Sequence, residues 1–249
     1  MCRRLVAALA CRNKSSRLYA KPLQNLDIEE ELTILEYIVQ WISQMECIDE
    51  VVLGISEGDD NLIYRELSQK LNLAYILGDD EDVLGRLVKC GDQGKATDVF
   101  RVTTESPFTF YEAISGAWEK HVRDDYDFTS LDHVPDGSGF EITKLETLKY
   151  AHIHGSRKHR SEFCSLFIRE NLELFKTQQI EPPQKIKRMD IRLTIDHPED
   201  LVLCRKIYSH FKHKSPYLPL AEIIEYLDKN PSLKGIVEPF VEGVYYYTE

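Results

Sequence analysis

The clearest chemical signal in the sequence is a basic loop at residues 12–22. It follows a continuous apolar run, residues 5–10, and carries two hydroxyls, Ser15 and Ser16, together with four cations: Arg12, Lys14, Arg17 and Lys21. Cations combined with hydroxyl and backbone donors neutralise a triphosphate and fix its oxygens. A solvated basic turn would have the same composition, so the loop alone leaves both interpretations open. The sequence has no Gly-x-x-x-x-Gly-Lys-Ser/Thr, which excludes a Walker-type phosphate loop.

Two carboxylates fall at the ends of predicted strands. Glu105 follows a strand predicted at residues 99–102, and Asp196 follows one predicted at residues 191–195. The carboxyl ends of parallel strands meet at one edge of a sheet, and Mg²⁺ prefers one or two carboxylates together with substrate phosphates and waters. We therefore expect Glu105 and Asp196 to form a magnesium site. Glu199 and Asp200 are expected only to favour the first turn of a helix.

A second charged segment, residues 157–162, contains His159, Arg160 and Glu162. It could hold an anionic acceptor or lie on a solvated surface, and its composition alone favours the surface. The histidines show neither a nucleophilic triad nor convincing metal-ligand spacing.

Apolar runs alternate with amphipathic segments through the first half of the chain. Buried strands are predicted at residues 5–10, 51–55, 73–77 and 99–102. Helices are predicted at residues 27–46, with Asp27 as the N-cap, and at residues 61–71, 80–89 and 108–121. This order predicts an α/β fold in which helices cover both faces of a mostly parallel sheet and ligands bind at the carboxyl ends of the strands.

After about residue 130 the alternation weakens, and we expect a small inserted subregion at residues 130–180 that includes a helix at residues 143–151. A strand at residues 191–195, helices at residues 198–211 and 218–227 and a tyrosine-rich tail follow. Because the sequence has neither internal repeats nor a low-complexity linker, we predict a single domain over residues 1–249.

Composition and charge exclude several classes of function. The 249 residues include 42 acidic and 31 basic side chains, and the formal charge of -11 offers no footprint for a nucleic acid or an anionic membrane surface. The sequence shows neither a membrane-spanning stretch nor a secretory signal. The six cysteines are far apart and include no Cys-x-x-Cys pair, a usage that predicts the reducing cytoplasm and argues against zinc.

Five segments match one family pattern in the same order along the chain, and the shortest is Asp125-Tyr126 against Asp-Tyr. The most specific is residues 192–201, which read Arg-Leu-Thr-Ile-Asp-His-Pro-Glu-Asp-Leu against the pattern Arg-Leu-Thr-Val-Asp-x-x-Glu-Asp-Leu. Residues 101–107 resemble Arg-x-Thr-Gly-Asp-x-Pro, residues 78–86 resemble Gly-Ser-x-x-Asp-Val-Leu-x-Arg, and the basic loop resembles Arg-x-Gly-Ser-x-Arg-Leu-Pro-Gly-Lys. The chain thus resembles the cytidylyltransferases that include the spore-coat polysaccharide biosynthesis protein and, more remotely, the acylneuraminate and ketodeoxyoctonate enzymes.

This resemblance implies a Rossmann-like nucleotide-diphospho-sugar transferase fold. It also implies a Mg²⁺-dependent transfer of CMP from CTP to an anionic, sugar-like acceptor, with release of pyrophosphate, in the biosynthesis of a surface polysaccharide or glycoconjugate. Members of the family are often dimers, so a homodimer is expected, with its contact at about residues 130–180.

The roles of individual residues follow from the same resemblance. Arg17 and Lys21 are expected to be catalytic, and Glu105 and Asp196 to bind the metal. The residues expected to bind the nucleotide and its phosphates are Leu9, Ala10, Arg12, Ser15, Ser16, Arg17 and Lys21. Those expected to bind the acceptor are Asp82, Arg86, His159, Arg160 and Glu162.

The chain departs from the family pattern at a few positions. Lys14 stands where the loop glycine is expected, Tyr19 and Ala20 replace Pro-Gly, and Glu105 replaces an aspartate. Lys14 either imposes another loop conformation or adds a charge contact.

Other functions remain open beside the leading one. An enzyme of the same fold could use GTP or another nucleotide, and a catalytically silent protein could bind a nucleotide or a partner. The retained set of Arg17, Lys21 and Asp196 favours an active enzyme. A nicotinamide-dependent dehydrogenase is excluded at the level of motifs, because Gly-x-Gly-x-x-Gly does not follow the first strand.

Overall fold

The computed structural model describes residues 3–241. Its strands are β1 (Leu5–Cys11), β2 (Asn25–Asp27), β3 (Leu32–Thr33), β4 (Glu50–Ser56), β5 (Ala74–Gly78), β6 (Asp98–Arg101), β7 (Phe128–Leu131), β8 (Phe140–Lys144) and β9 (Thr177–Gln179). Its α-helices are α1 (Ile34–Ile42), α2 (Leu62–Lys70), α3 (Val83–Gln93), α4 (Ile114–Arg123), α5 (Leu145–His154), α6 (Leu166–Glu170), α7 (Pro198–Phe211), α8 (Leu220–Lys229) and α9 (Pro231–Lys234). The tyrosine-rich tail lies outside the described residues.

A seven-stranded sheet in the order β5-β4-β1-β6-β8-β7-β9 forms the centre of the molecule. The apolar strand β1 is central and pairs in parallel with β4 on one side and β6 on the other. Strand β8 runs antiparallel to both of its neighbours. The prediction of a mostly parallel sheet is confirmed.

Alternate residues of β1 face two separate cores. Leu5, Ala7 and Leu9 pack in a core that includes buried side chains of α1, α4, α7 and α8. Val6 and Ala8 pack with buried side chains of α3, α5 and α6 on the opposite face. Both faces are apolar because both are covered by helices, as the unbroken apolar run predicted.

The helix predicted at residues 27–46 is wrong at both ends. The Asp27 carboxylate accepts the N–H groups of Glu29 and Glu30 at 3.0 and 3.3 Å, but it does so in a turn that joins the short antiparallel strands β2 and β3. The helix begins at Ile34, where Thr33 and Glu36 form a reciprocal capping box. A carboxylate that closes a turn gives the same sequence signal as one that begins a helix.

The strand predicted at residues 191–195 is also wrong, although the backbone there is bound on both sides. Leu193 donates its N–H to the carbonyl oxygen of Asp136 at 2.8 Å, and Ile195 donates to that of Glu105 at 2.9 Å. The segment therefore runs between two loops, with one isolated bridge between Asp136 and Arg192.

Residues 130–180 contribute directly to the sheet, because β8 and β9 lie in this segment together with the end of β7. Thr143 belongs to β8, so the helix predicted at residues 143–151 begins at Leu145. The helix predicted at residues 108–121 begins only at Ile114, after a stretch that buries Phe108 and Phe110. The single-domain boundaries stay a prediction.

Candidate active site

A cleft opens at the carboxyl ends of β1 and β6, where the sequence predicted the ligand site. About 700 Å³ is free of protein atoms there, counting the space open to solvent at the mouth. Half of the predicted site residues line it: Ala10, Arg12, Ser15, Lys21, Arg86, Glu105 and Glu162. The basic loop, the end of β6 and the charged segment therefore meet in one place.

The basic loop is closed by hydrogen bonds of Asn13. The N–H of Ala20 donates to the Asn13 carbonyl oxygen at 2.8 Å, and the Asn13 N–H donates to Oδ1 of Asn61 at 2.8 Å. Lys14 lines the cleft without needing a positive φ, so it adds a charge there. Ala20 instead takes the left-handed conformation, with φ of 50°, at the position where the family pattern has glycine.

The Asp196 carboxylate binds cations through both of its oxygens. Its Oδ1 accepts from Nζ of Lys21 at 2.5 Å and from Arg17 at 3.0 Å, and its Oδ2 accepts from Arg192 at 2.8 Å. Burial by itself would raise the pKa of Asp196, but the hydrogen bonds of Lys21 and Arg192 outweigh it, so the pKa lies below its ordinary value. Asp196 is therefore ionised at neutral pH.

Glu105 lies beside this carboxylate, because its carbonyl oxygen accepts the N–H of Ile195. Burial raises the pKa of Glu105, the charge of Lys21 opposes that rise, and the negative charge of Asp196 adds to it. Added positive charge in the cleft would favour the ionised form of Glu105.

Arg192 connects Asp196 to two further aspartates, and the sequence reading did not assign it to the site. It donates to both oxygens of Asp200 at 2.8 and 3.0 Å and to Asp136 at 2.7 Å. Asp200 also accepts the N–H groups of Asp196 and His197 at 2.9 and 2.8 Å. The expectation that Asp200 only favours a helix turn is too narrow, because its side chain is 1% exposed and binds the site. Both Arg192 and Asp200 belong to the family motif at residues 192–201, and that motif was the sequence signal that could have identified them as site residues.

Arg86 is a buried cation on the cleft wall, with 2% exposure. Its NH1 donates to the carbonyl oxygens of Cys11 and Gly54, both at 3.1 Å, whereas its Nε has no partner within residues 3–241. A Cβ at Gly78 would lie 2.6 Å from the Arg86 Cγ, so glycine is needed there. Burial lowers the pKa of Arg86, and a ligand anion would offset that cost.

Arg12 and Arg101 line the same wall but differ in how firmly they are held. Arg12 lies 3.9 Å from Asp80 and 3.8 Å from Glu162 and is 40% exposed. Arg101 donates to Glu141 at 3.0 Å and to the Glu162 carbonyl oxygen at 2.8 Å. Arg101 was not among the predicted site residues, although it begins the motif at residues 101–107.

Comparison with known proteins identifies the family. Residues 6–227 match the family model described as cytidylyltransferase. The chain belongs to the cytidylyltransferase family, and it is a nucleotidyltransferase. An uncharacterized protein of Methanocaldococcus jannaschii is 29% identical over 234 residues, 94% of each chain. The spore coat polysaccharide biosynthesis protein SpsF of Bacillus subtilis is 27% identical over 225 residues, 90% of this chain and 93% of SpsF.

Solved structures confirm the fold. A cytidylyltransferase from Leptospira borgpetersenii superposes with a TM-score of 0.83 at 20% identity, over 93% of this chain and 96% of that one. The CMP:2-keto-3-deoxy-manno-octonic acid synthetase complexed with CTP superposes with a TM-score of 0.62 at 14% identity, over 83% and 99%. The predicted nucleotide-diphospho-sugar transferase fold is therefore confirmed. None of the helices within residues 3–241 combines the length and apolar character of a membrane span.

Several residues expected to bind ligands in this cytidylyltransferase do not line the cleft. The Leu9 side chain is buried in the core, Ser16 is exposed on the loop, and Arg17 is half-exposed and reaches Asp196. Asp196 is not a lining residue either, but it contacts Lys21, which is. Asp82 begins α3, where its carboxylate accepts the Gly85 N–H at 2.8 Å and contacts Nε2 of His152 at 2.6 Å.

The charged segment at residues 157–162 lines the cleft only in part. His159 contacts Glu170 at 2.8 Å, and Arg160 donates to the His152 carbonyl oxygen at 3.2 Å. Asp82, His159 and Arg160 thus form hydrogen bonds with other protein groups and do not line the cleft. Of the five residues predicted to bind the acceptor, only Arg86 and Glu162 line it.

The donor set suits a metal ion shared with a phosphate. Within residues 3–241 no three or more His, Cys, Asp or Glu side chains are arranged to hold a metal on their own. Glu105 and Asp196 instead offer two carboxylates beside one cleft, which is what Mg²⁺ takes from a protein when phosphates and waters complete its shell. The residues fit Mg²⁺ in kind and number.

Proposed function

We propose that the protein transfers CMP from CTP to an anionic, sugar-like acceptor and releases pyrophosphate, in a Mg²⁺-dependent reaction that serves surface polysaccharide or glycoconjugate synthesis. The observation that carries this proposal is the contact of Lys21 and Arg17 with Asp196 beside Glu105. Cations for a triphosphate and carboxylates for a metal meet there in a cytidylyltransferase fold.

The loop cations are the triphosphate ligands in this proposal. Lys14, Ser15 and Lys21 line the cleft, and Arg17 shares Oδ1 of Asp196 with Lys21. A triphosphate competes with Asp196 for Lys21 and Arg17, because both cations are on the loop and bind the same oxygen. Glu105 and Asp196 would hold Mg²⁺, which supplies positive charge to the phosphate oxygens.

The transfer is an in-line displacement at the α-phosphorus of CTP. An acceptor oxygen forms a bond to that phosphorus, and the bond to the oxygen bridging the α- and β-phosphates breaks, so that pyrophosphate leaves with the bonding electron pair. A phosphate oxygen attacks without a proton, whereas a hydroxyl releases its proton to water. Lys21 and Arg12 stabilise the negative charge that develops on the phosphate oxygens. The chain provides position and charge, and no covalent enzyme intermediate is needed.

An anionic acceptor is supported by the cations Arg86 and Arg101, which line the cleft together with the basic loop. Arg86 is buried there and makes no ion pair with a carboxylate of residues 3–241, and Arg101 lies at the end of β6. A carboxylate or phosphate on the acceptor would neutralise this wall. The homodimer implied by the resemblance stays a prediction.

The nucleotide is tested by thermal unfolding with CTP, GTP, UTP, ATP or dTTP, each with and without Mg²⁺. A ligand at a hundred times its dissociation constant adds about 2.7 kcal/mol to the free energy of unfolding. We expect stabilisation by CTP with Mg²⁺. Stabilisation by another nucleotide would replace the donor but keep the reaction class, and no stabilisation by any nucleotide would contradict an active nucleotidyltransferase.

The acceptor is then tested by pyrophosphate release from CTP with three sets of sugars: sugar acids, sugar phosphates and neutral sugars. We expect release with members of the two anionic sets and none with the neutral sugars. Arg86→Met tests whether the charge of Arg86 is needed for an anionic acceptor, because methionine removes the charge but keeps most of the side chain's length. A turnover with neutral sugars alone would contradict the anionic acceptor.

A further inference from the structure

The arrangement around Asp196 treats its two oxygens differently. Oδ2 is bound to Arg192, whose side chain is 7% exposed and whose three nitrogens all donate to aspartates. Oδ1 is bound only by Lys21 and Arg17 within the described chain, and both belong to the basic loop. One oxygen is therefore held by the protein's interior, and the other is held by a surface loop.

The charges of this cluster leave room for a divalent cation. Asp136, Asp196 and Asp200 are three carboxylates around the single guanidinium of Arg192, so two negative charges remain. The loop cations Lys21 and Arg17 balance them. When these two cations turn to a triphosphate, the two charges are again unbalanced, and the vacated oxygen is Oδ1 of Asp196.

We propose that Arg192 and Asp200 are positioning residues that keep Oδ1 of Asp196 directed toward Lys21 at the cleft, where the loop cations and a divalent metal ion bind it in turn. Arg192 holds the carboxylate, and Asp200 holds both Arg192 and the backbone N–H of Asp196. This inference rests on the proposed function, because that function assigns the metal to Asp196.

Positioning of this kind changes metal affinity rather than folding alone. A carboxylate that rotates freely loses that freedom when a metal binds it, whereas one already fixed does not. Partners behind a metal ligand typically change affinity by about 10- to 100-fold when they are replaced.

The test measures Mn²⁺ binding by electron paramagnetic resonance, with CTP present, in the wild type and Arg192→Lys. Lysine keeps the charge but cannot hold both aspartates in a fork, so we expect the dissociation constant for Mn²⁺ to rise at least about tenfold. Arg188→Lys is the matched control, because Arg188 also forks between two aspartates, Asp190 and Asp228, away from the cleft. It should bind Mn²⁺ as the wild type does.

Arg192→Gln separates position from charge. Removal of a positive charge next to a metal site by itself strengthens metal binding, so weaker binding by this variant identifies positioning. Thermal unfolding of each variant establishes that it is folded. Wild-type affinity in both variants would overturn the positioning role of Arg192 and leave the proposed function standing, whereas a wild type that binds CTP but no Mn²⁺ would overturn both.

Discussion

The cations around the cleft fall into two groups that differ in how they are held. Arg12 and Arg17 are 40% and 50% exposed and pair with carboxylates on other segments of the chain. Arg101 belongs instead to an edge network, defined as Arg101, Glu141, Arg169 and Asp132, with ion pairs of 2.8–3.0 Å and little exposure. An exposed pair contributes little to stability, and breaking a buried one costs several kcal/mol. Arg12 and Arg17 can thus exchange partners, whereas the edge network fixes the wall.

The largest expected effect is on turnover, from Lys21→Ala. Loss of the cation that we propose to bind the developing phosphate charge should lower turnover by about 10³-fold. The free energy of unfolding should fall by less than about 3 kcal/mol, because the pair of Lys21 and Asp196 is largely buried but Asp196 keeps Arg17 and Arg192. Pyrophosphate release measures the effect on turnover, and chemical denaturation measures the effect on the free energy of unfolding. Full turnover in this variant would place the chemistry elsewhere.

A substitution in the edge network should mainly lower the stability of the fold. Glu141→Gln should lower the free energy of unfolding at pH 7 by about 3 kcal/mol, because Arg101 and Arg169 lose a shared carboxylate. A variant as stable as the wild type in urea would show that the network does not fix the wall.

The same network predicts a dependence on pH. Burial would raise the pKa of Glu141, but Arg101 and Arg169 outweigh burial and lower it to about 2, from 4.5. A carboxyl with a lowered pKa stabilises the fold above its unfolded pKa and ceases to do so as pH falls to its folded pKa. The wild type should therefore lose this stability between about pH 4.5 and pH 2, and Glu141→Gln should lose less over that window.

Glu105 is expected to give a smaller effect. Glu105→Ala should weaken Mn²⁺ binding by about tenfold, because one of two carboxylates is lost. Glu105→Asp restores the residue of the family pattern and should keep most of the affinity. Calorimetric titration with CTP present measures both variants. Equal affinity for Glu, Asp and Ala would show that Glu105 is not a ligand.

The smallest effect concerns the loop backbone. Ala20→Gly should raise the free energy of unfolding by about 0.5–1 kcal/mol, because φ of 50° is strained for alanine and ordinary for glycine. Ala113→Gly is the control, since Ala113 has φ of -88° and should gain nothing. A thermal midpoint that does not rise for Ala20→Gly would show that the loop relaxes without the substitution.

Much of the fold was predictable because local patterns and the tertiary structure agree there. The apolar runs of β1 and β4 are buried on both faces, so the sequence alone indicates parallel strands. Strand β7 has only the four residues Phe128–Leu131 and no distinctive pattern, so its place depends on pairing with distant segments. The sheet order beyond β6 could not be predicted for this reason.

The candidate site was likewise predictable only in part. The meeting of Lys21, Glu105 and Asp196 was predictable, since each follows a strand or an extended segment that ends at one edge. The division of the charged segment was not, because it depends on which side chains find partners: His159 contacts Glu170, whereas Glu162 lines the cleft. The role of Asp200 was hidden because an acid in the first turn of a helix has a sufficient local explanation.

The extended segment that ends in Asp196 has a consequence for the order in which the protein is made. The last strand of the central sheet ends at Gln179, so a chain growing on the ribosome contains the entire sheet before Arg192 and Asp196 are synthesised. The turn at Gly137 packs against Thr194 so closely that a Cβ would lie 2.6 Å from its backbone nitrogen, and that contact forms only when the later segment arrives. The proposed metal site is thus completed late in synthesis, after the framework that surrounds it.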